Sequence, residues 1–186
     1  MQSAALQDDP GIARWSERLE TFEPQADPTV AAWLSEPGLL TERLRACCTG
    51  HPGLAVVAEI EATMSRADSA LLQAAGPAAL VREIELTCDG HPWVFAQTLI
   101  PAAILARHRW LSTLGDTALG ERLAAIPGIL RGPLEFARLT PAVALYRRAL
   151  RQRTNPPQQL WARRSWFAIG GDRLLVQEVF LPEALR

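Results

Sequence analysis

The chain has 186 residues, 48% of them hydrophobic, enough for one sizeable core and too little for two comfortable ones, so a single domain spanning residues 1–186 is expected. With 19 basic and 20 acidic residues the net charge is −1, which leaves no global field to attract a nucleic-acid backbone or an anionic membrane. Every basic residue is arginine, so Schiff-base catalysis by lysine is excluded, and the phosphate loop fails because Glu121-Arg122 follows Gly115 and Gly120 where lysine and a hydroxyl residue are needed.

Residues 1–10 have neither the basic start nor the apolar stretch of a secretory signal, and no later run is long enough to span a bilayer. Of three cysteines, Cys47 and Cys48 are adjacent and Cys88 is distant, which suits no disulfide framework. A cytoplasmic protein with free thiols is expected.

In chain order, Ile12, Trp15, Leu19 and Phe22 outline a weak helical face. Asp27-Pro28 reads as an N-cap with proline at the first helical position, and Val30, Trp33 and Leu34 continue the helix to about Pro37-Gly38. A second helix covers residues 41–47, with Leu40 just before it, until Gly50-His51-Pro52-Gly53 breaks the chain; residues 1–50 thus form a helical amino-terminal part. From residue 54 a sheet with interleaved helices is expected. A strand runs over 54–63, and 64–78 reads as a connection. Residues 79–88 and 91–100 flank Asp89-Gly90, a preferred two-residue hairpin turn. Helices are expected over 102–114 and 119–125, a strand over 129–139, and an arginine-bearing helix from Thr140-Pro141 to about Arg153. A second hairpin joins 160–169 to 173–181 through Gly170-Gly171-Asp172. Strands in hairpins with helices grouped between them indicate an α+β domain, an antiparallel sheet with helices packed on one side, and argue against a doubly wound parallel sheet.

Strand parity isolates two charges. Leu80, Arg82, Ile84, Leu86 and Cys88 share one strand face, and Leu174, Val176, Glu178 and Phe180 share another; Arg82 and Glu178 are the charged residues that interrupt these two apolar stripes. An enclosed charge is costly unless paired, so either the two form a structural bridge with each other or they serve a small pocket, Arg82 holding a carboxylate and Glu178 meeting a hydroxyl or a proton in flight.

Around these residues the sequence resembles the bacterial chorismate pyruvate-lyase family over most of its length. The likeness lies in Arg82-Glu83-Ile84 with Cys88-Asp89-Gly90-His91-Pro92-Trp93, in Leu114-Gly115 with Ala118-Leu119-Gly120, in Trp161-Ala162-Arg163-Arg164-Ser165, and in residues 174–182. It implies a six-stranded antiparallel sheet enclosing the product. It further implies the cleavage of chorismate to 4-hydroxybenzoate and pyruvate, a carbon–oxygen lyase reaction that commits material to ubiquinone. Carried over by position, the family's carboxylate-binding arginine falls on Arg82, its active-site glutamate on Glu178, and its apolar ring contacts on Leu40 and Leu119. His91 departs from the glutamate that can occur in the turn, and residues 140–157 are longer than usual for the family.

The reaction aromatises a ring, so the protein need only orient the substrate, stabilise the leaving group and manage one proton; no metal or other cofactor is expected. His51, His91 and His108 lack metal-site spacing and are read as surface or capping residues. Cys88 is read as a buried structural thiol. Arg147, Arg148, Arg151 and Arg153 are read as a solvated helix face rather than a nucleic-acid surface, while Arg163 and Arg164 are candidates to attract a dianionic substrate. The expected partners are chorismate and 4-hydroxybenzoate, bound by a monomer with no nucleic acid and no integral membrane segment. The rival is a small-acid-binding sensor domain of the same fold that converts nothing.

Overall fold

Seven strands, β1 (Pro52–Thr63), β2 (Ala78–Cys88), β3 (His91–Pro101), β4 (Leu130–Arg131), β5 (Glu135–Leu139), β6 (Leu160–Ile169) and β7 (Asp172–Phe180), form one antiparallel sheet in the computed structural model, which describes residues 11–23, 27–151 and 153–185. The expectation of no leader fell on residues 1–10, outside the described residues. The sheet order is β1-β2-β3-β7-β6-β4, and β5 pairs with β6 beside β4. Both hairpins form as read. Asp89 and Gly90 take φ of 49° and 76°, the left-handed pair that matches strand twist. In the second hairpin Gly170 and Gly171 alone make the turn, at 57° and 96°, because Asp172 already pairs with Ile169.

The sheet has seven strands and not six because the segment expected as one strand over 129–139 is two. Gly132 donates its N–H to the Trp166 carbonyl at 2.8 Å, and a Cβ there would lie 2.2 Å from Trp166 Cε2, so only glycine permits this approach. Pro133 then has no N–H to offer the ladder.

Helices α1 (Pro28–Leu34) and α2 (Leu40–Cys47) follow the sequence reading, with Asp27 Oδ1 accepting the Thr29 N–H at 2.7 Å. The connection expected over 64–78 contains α3 (Arg66–Leu71), capped by Ser65, whose hydroxyl accepts the Asp68 N–H at 3.0 Å. The helix expected over 102–114 divides at His108 into α4 (Ala102–Arg107) and a 3-10 turn, Arg109–Ser112; α5 is Leu119–Ala124. The arginine-bearing helix shrinks to α6 (Ala144–Ala149), since Arg147 satisfies the Pro141 and Ala142 carbonyls from its side chain. Upstream, the weak helical face yields only a 3-10 turn, Leu19–Thr21, because Ser16 exchanges two backbone hydrogen bonds with Phe136 at the edge of the sheet.

The helices do not all lie on one side. Trp33, Leu34, Leu40 and Leu44 from α1 and α2 pack on Leu86, Val94, Trp161 and Phe180, and Ile104, Leu119 and Leu123 from α4 and α5 pack on Ile100 and Leu174. The opposite parity of the same strands, Phe95, Ala162 and Val179, packs under Leu145, Tyr146 and Ala149 of α6, while Val81, Leu99 and Leu175 pack by Leu72 beside α3. Glu83 is buried on that second face, with Gln97 at 2.9 Å and Arg148 at 2.6 Å. The long segment that includes α6 therefore covers the face opposite Arg82 and Glu178. Among the described residues no helix is long and apolar enough to cross a membrane.

The cysteine expectation fails: Cys48 and Cys88 form a disulfide with a Cα–Cα distance of 5.7 Å, so Cys88 is not a thiol. Spacing along the chain concealed this because β1 pairs Pro52 with Cys88, bringing the end of α2 beside the end of β2. Cys47 is exposed and free.

Candidate active site

A cavity of about 410 Å³ lies between the sheet and its α1–α2 and α5 cover. Its floor is the β2-β3-β7-β6 face: Ile84 and Leu86, Ala96 and Thr98, Val176 and Glu178, then Arg163, Ser165 and Phe167. The space exists because β3, in the middle of this face, presents only Ala96 and Thr98 between the larger Val94 and Ile100. The cover consists of Pro37 to Glu42 and Ala118 to Gly120, joined from the side by Arg131 of β4. Arg45 Nη2 meets Glu121 Oε1 at 2.6 Å and ties α2 to α5 across the cover; this bond is the main cause that holds the Glu121 carboxyl below its usual range. The volume and mostly apolar lining suit a small organic ligand.

Cross-strand register sets the chemistry of the floor. One row runs Ile84, Ala96, Glu178, Arg163, and the next runs Arg82, Thr98, Val176, Ser165. Arg163 Nε donates to Glu178 Oε2 at 2.6 Å, and its Nη1 donates to the carbonyls of Leu34 at 3.2 Å and Glu36 at 2.7 Å. Arg163 is thus fully buried and anchors the end of α1, while Glu178 stays 17% exposed towards the cavity. Glu36 is held below the usual carboxylate range first by the Gly38 N–H and then by Arg43, with Arg163 contributing.

Of the residues picked out in the sequence, Glu178, Leu40 and Leu119 line the cavity. Arg82 does not. It lies on the same face, beside Thr98, with Nη1 on Glu59 at 3.2 Å and Nη2 on the carbonyls of Gly115 at 2.6 Å and Thr117 at 3.2 Å. Burial lowers its pKa, opposed by Glu59 and Asp116. The bridge between Arg82 and Glu178 does not form, since each has another partner. Arg164 faces the other side, bound to Glu135 at 2.8 Å.

One cavity arginine, Arg131, was missed, whereas Arg163 was read with Arg164 as a candidate to attract the substrate. Arg163 carries the signal that exposed Glu178, a charge on the stripe Trp161, Arg163, Ser165, Phe167, Ile169. Arg131 carries none, because a two-residue strand has no parity to read. The histidines sit apart from the cavity: His51 contacts Asp89, and His108 with Arg107 holds Asp172 at the β6–β7 turn. In the arginine cluster Arg148 and Arg151 bind Glu83, and Arg153 binds Glu183.

The family model described as chorismate lyase matches residues 13–185. A probable chorismate pyruvate-lyase of Dechloromonas aromatica is 43% identical over 159 residues, which cover 84% of this chain and 88% of that protein. Proteins of the same description from Nitrosospira multiformis and Shewanella amazonensis are 37% and 39% identical, covering 85% and 86% of this chain and 89% and 82% of their own. Among solved structures, the effector domain of PhnF from Mycobacterium smegmatis superposes with a TM-score of 0.56 at 17% identity, over 78% of this chain and 90% of that one. The ligand-binding domain of a putative GntR-family regulator from Bordetella bronchiseptica gives 0.50 at 13% identity, over 72% and 85%. At these identities the structural likeness concerns the fold, whereas the sequence match extends over nearly the whole chain: the chain belongs to the chorismate lyase family.

Proposed function

We propose that the chain is a chorismate pyruvate-lyase that binds chorismate in the cavity and releases 4-hydroxybenzoate and pyruvate. The observation that carries this reading is the Glu178 carboxylate. It faces a mostly apolar space sized for a small organic ligand, with Arg163 occupying one of its oxygens.

In the reaction the ring hydrogen geminal to the hydroxyl leaves as a proton, its electron pair forms the last ring double bond, and the neighbouring carbon–oxygen bond breaks with its pair passing to enolpyruvate. The enolpyruvate methylene takes a proton and becomes pyruvate, so no atom is gained or lost. The ring lies between Leu40 and Leu119 above the Ala96-Thr98 floor. Its hydroxyl meets Glu178 Oε1, since Oε2 is held by Arg163. Its carboxylate points to the end where Arg82 fixes the Gly115 to Thr117 backbone, and Arg82, held outside the cavity lining by Glu59 and these carbonyls, becomes the clamp by giving up Glu59 for the substrate carboxylate. Glu178 orients the hydroxyl and assists the departing proton, and exclusion of water by the cover strengthens both contacts.

A cytoplasmic protein acting alone, its 4-hydroxybenzoate going to ubiquinone, completes the proposal. Replacing Arg82 by alanine and Glu178 by glutamine and measuring chorismate turnover tests the residue roles; full activity in both folded variants would remove them. The likeness to regulator effector domains keeps the sensor reading as the competing outcome: tight 4-hydroxybenzoate binding without turnover.

A further inference from the structure

Arg131 projects into the cavity wall from β4, opposite Phe167 of β6, with its guanidinium carbon 5.4 Å from the Phe167 ring centre. Nη1 donates to the Pro37 carbonyl at 2.8 Å. Nε is buried and, among the described residues, has no hydrogen-bond partner. A buried donor on a charged group is among the costlier groups to leave unmet, and in a native fold it calls for an explanation. Burial lowers the Arg131 pKa, and Arg163 lowers it further, while Glu178 and Glu36 only oppose the shift. The other arginines of this face have employment: Arg163 holds Glu178 and two carbonyls, and Arg82 holds Glu59 and two carbonyls. The unmet need at Arg131 is for an anion presented to the Nε edge of the guanidinium, a geometry that a carboxylate satisfies.

We infer that Arg131 is a second carboxylate site of the cavity, and that it takes the enolpyruvyl carboxylate, which the substrate has and the aromatic product lacks. This rests on the chorismate reading and deepens it. In chorismate the hydroxyl lies para to the ring carboxylate, and the enolpyruvyl ether is on the carbon next to the hydroxyl. A ring with its hydroxyl at Glu178 therefore carries its second carboxylate at the Glu178 end of the cavity, away from Arg82. Arg131 is on that side of the cavity, since β4 lies beyond the β6 and β7 strands that carry Arg163 and Glu178, whereas Arg82 is on β2. The site then distinguishes substrate from product. Ring contacts and the ring carboxylate serve both molecules, whereas Arg131 engages only the one that still bears enolpyruvate, and it neutralises that group as negative charge develops on the departing oxygen.

The test compares Arg131→Gln and Arg131→Lys with the unaltered protein, measuring kcat and KM for chorismate and the Kd for 4-hydroxybenzoate by tryptophan fluorescence, with circular dichroism to confirm folding. Arg131→Gln is expected to lower kcat/KM roughly 100-fold, the scale of losing one charge-stabilising donor. Its Kd for 4-hydroxybenzoate should change by less than about threefold, and Arg131→Lys should recover part of the rate because it keeps the charge without the fork. A merely structural role would move both readouts together. Equal losses in substrate and product recognition, or an unchanged kcat/KM in either folded variant, would overturn the inference. Inactivity of the unaltered protein towards chorismate would instead overturn the functional reading on which it rests.

Discussion

Arg163 and Glu178 face each other across β6 and β7, joined by a 2.6 Å hydrogen bond, but they are not equivalent partners. Arg163 is 1% exposed and also donates to the carbonyls of Leu34 and Glu36, so it holds the start of the cavity cover to the floor as well as positioning Glu178. Replacing Arg163 by methionine leaves a carboxylate without its partner and frees two carbonyls. A destabilisation of about 3 kcal/mol is expected, the scale of breaking a buried pair from one side. Glu178→Gln keeps an acceptor for Arg163 and should lower the melting temperature much less, while reducing kcat roughly 100-fold or more if Glu178 assists the proton. Thermal melts of the two variants check this; equal stability losses would show that the asymmetry is absent.

Ala96 pairs with Ile84 on one side and Glu178 on the other, and its small side chain makes room at the centre of the floor. Ala96→Leu should fill that room. The expected result is a fall in kcat/KM of at least about 100-fold with the melting temperature unchanged or slightly raised, since filling a cavity commonly stabilises by about 0.5–2 kcal/mol. Retained activity would place the ligand elsewhere.

The Cys48–Cys88 bond closes a loop across a sequence separation of 40. In the chain-entropy description this is worth about 3–4 kcal/mol, so reduction should lower the melting temperature by roughly 5–15 °C. Cys48→Ser should reproduce the loss, and Cys47→Ser should not. A melt that ignores reductant would contradict the link.

Asp172 receives bonds from Arg107 at 2.7 Å and 2.5 Å and meets His108 at 3.0 Å; with Arg107 the largest cause, its carboxyl is held below the usual 3.8. A depressed native pKa means that the unfolded chain binds the proton more readily. The stabilisation is therefore fully present above pH 3.8 and lost as pH falls through the native value. Arg107 is half exposed and solvent screens the pair, so Asp172→Asn should lower the melting temperature at pH 7 by only roughly 1–4 °C. That gap should close as the pH falls below 3.8 and through the lowered native value. A gap that widened on acidification would refute the assignment.

How far the sequence could be read depended on the range of the cause. Asp89-Gly90 and Gly170-Gly171 form hairpins by local backbone rules, so those strands were legible to within a residue or two. Parity found Arg82 and Glu178 because long strands have two faces. The same rule could not say what covers the second face, since nothing near Glu83 reveals that Arg148 and Arg151, 65 and 68 residues away, will neutralise it. Leu40 and Leu119 came from the family resemblance alone, and the structure brings them to opposite parts of one cover. Arg131 and the Cys48–Cys88 bond were illegible for a shared reason: each depends on a tertiary approach made by a segment too short or irregular to carry a pattern.

The most direct test of the central claim is to incubate the purified protein with chorismate and follow pyruvate and 4-hydroxybenzoate together. Release of the two in equal amounts, abolished by Ala96→Leu, is the predicted result. Tight binding of 4-hydroxybenzoate without release of either product would contradict the account in favour of a sensor, and neither binding nor release would contradict it outright.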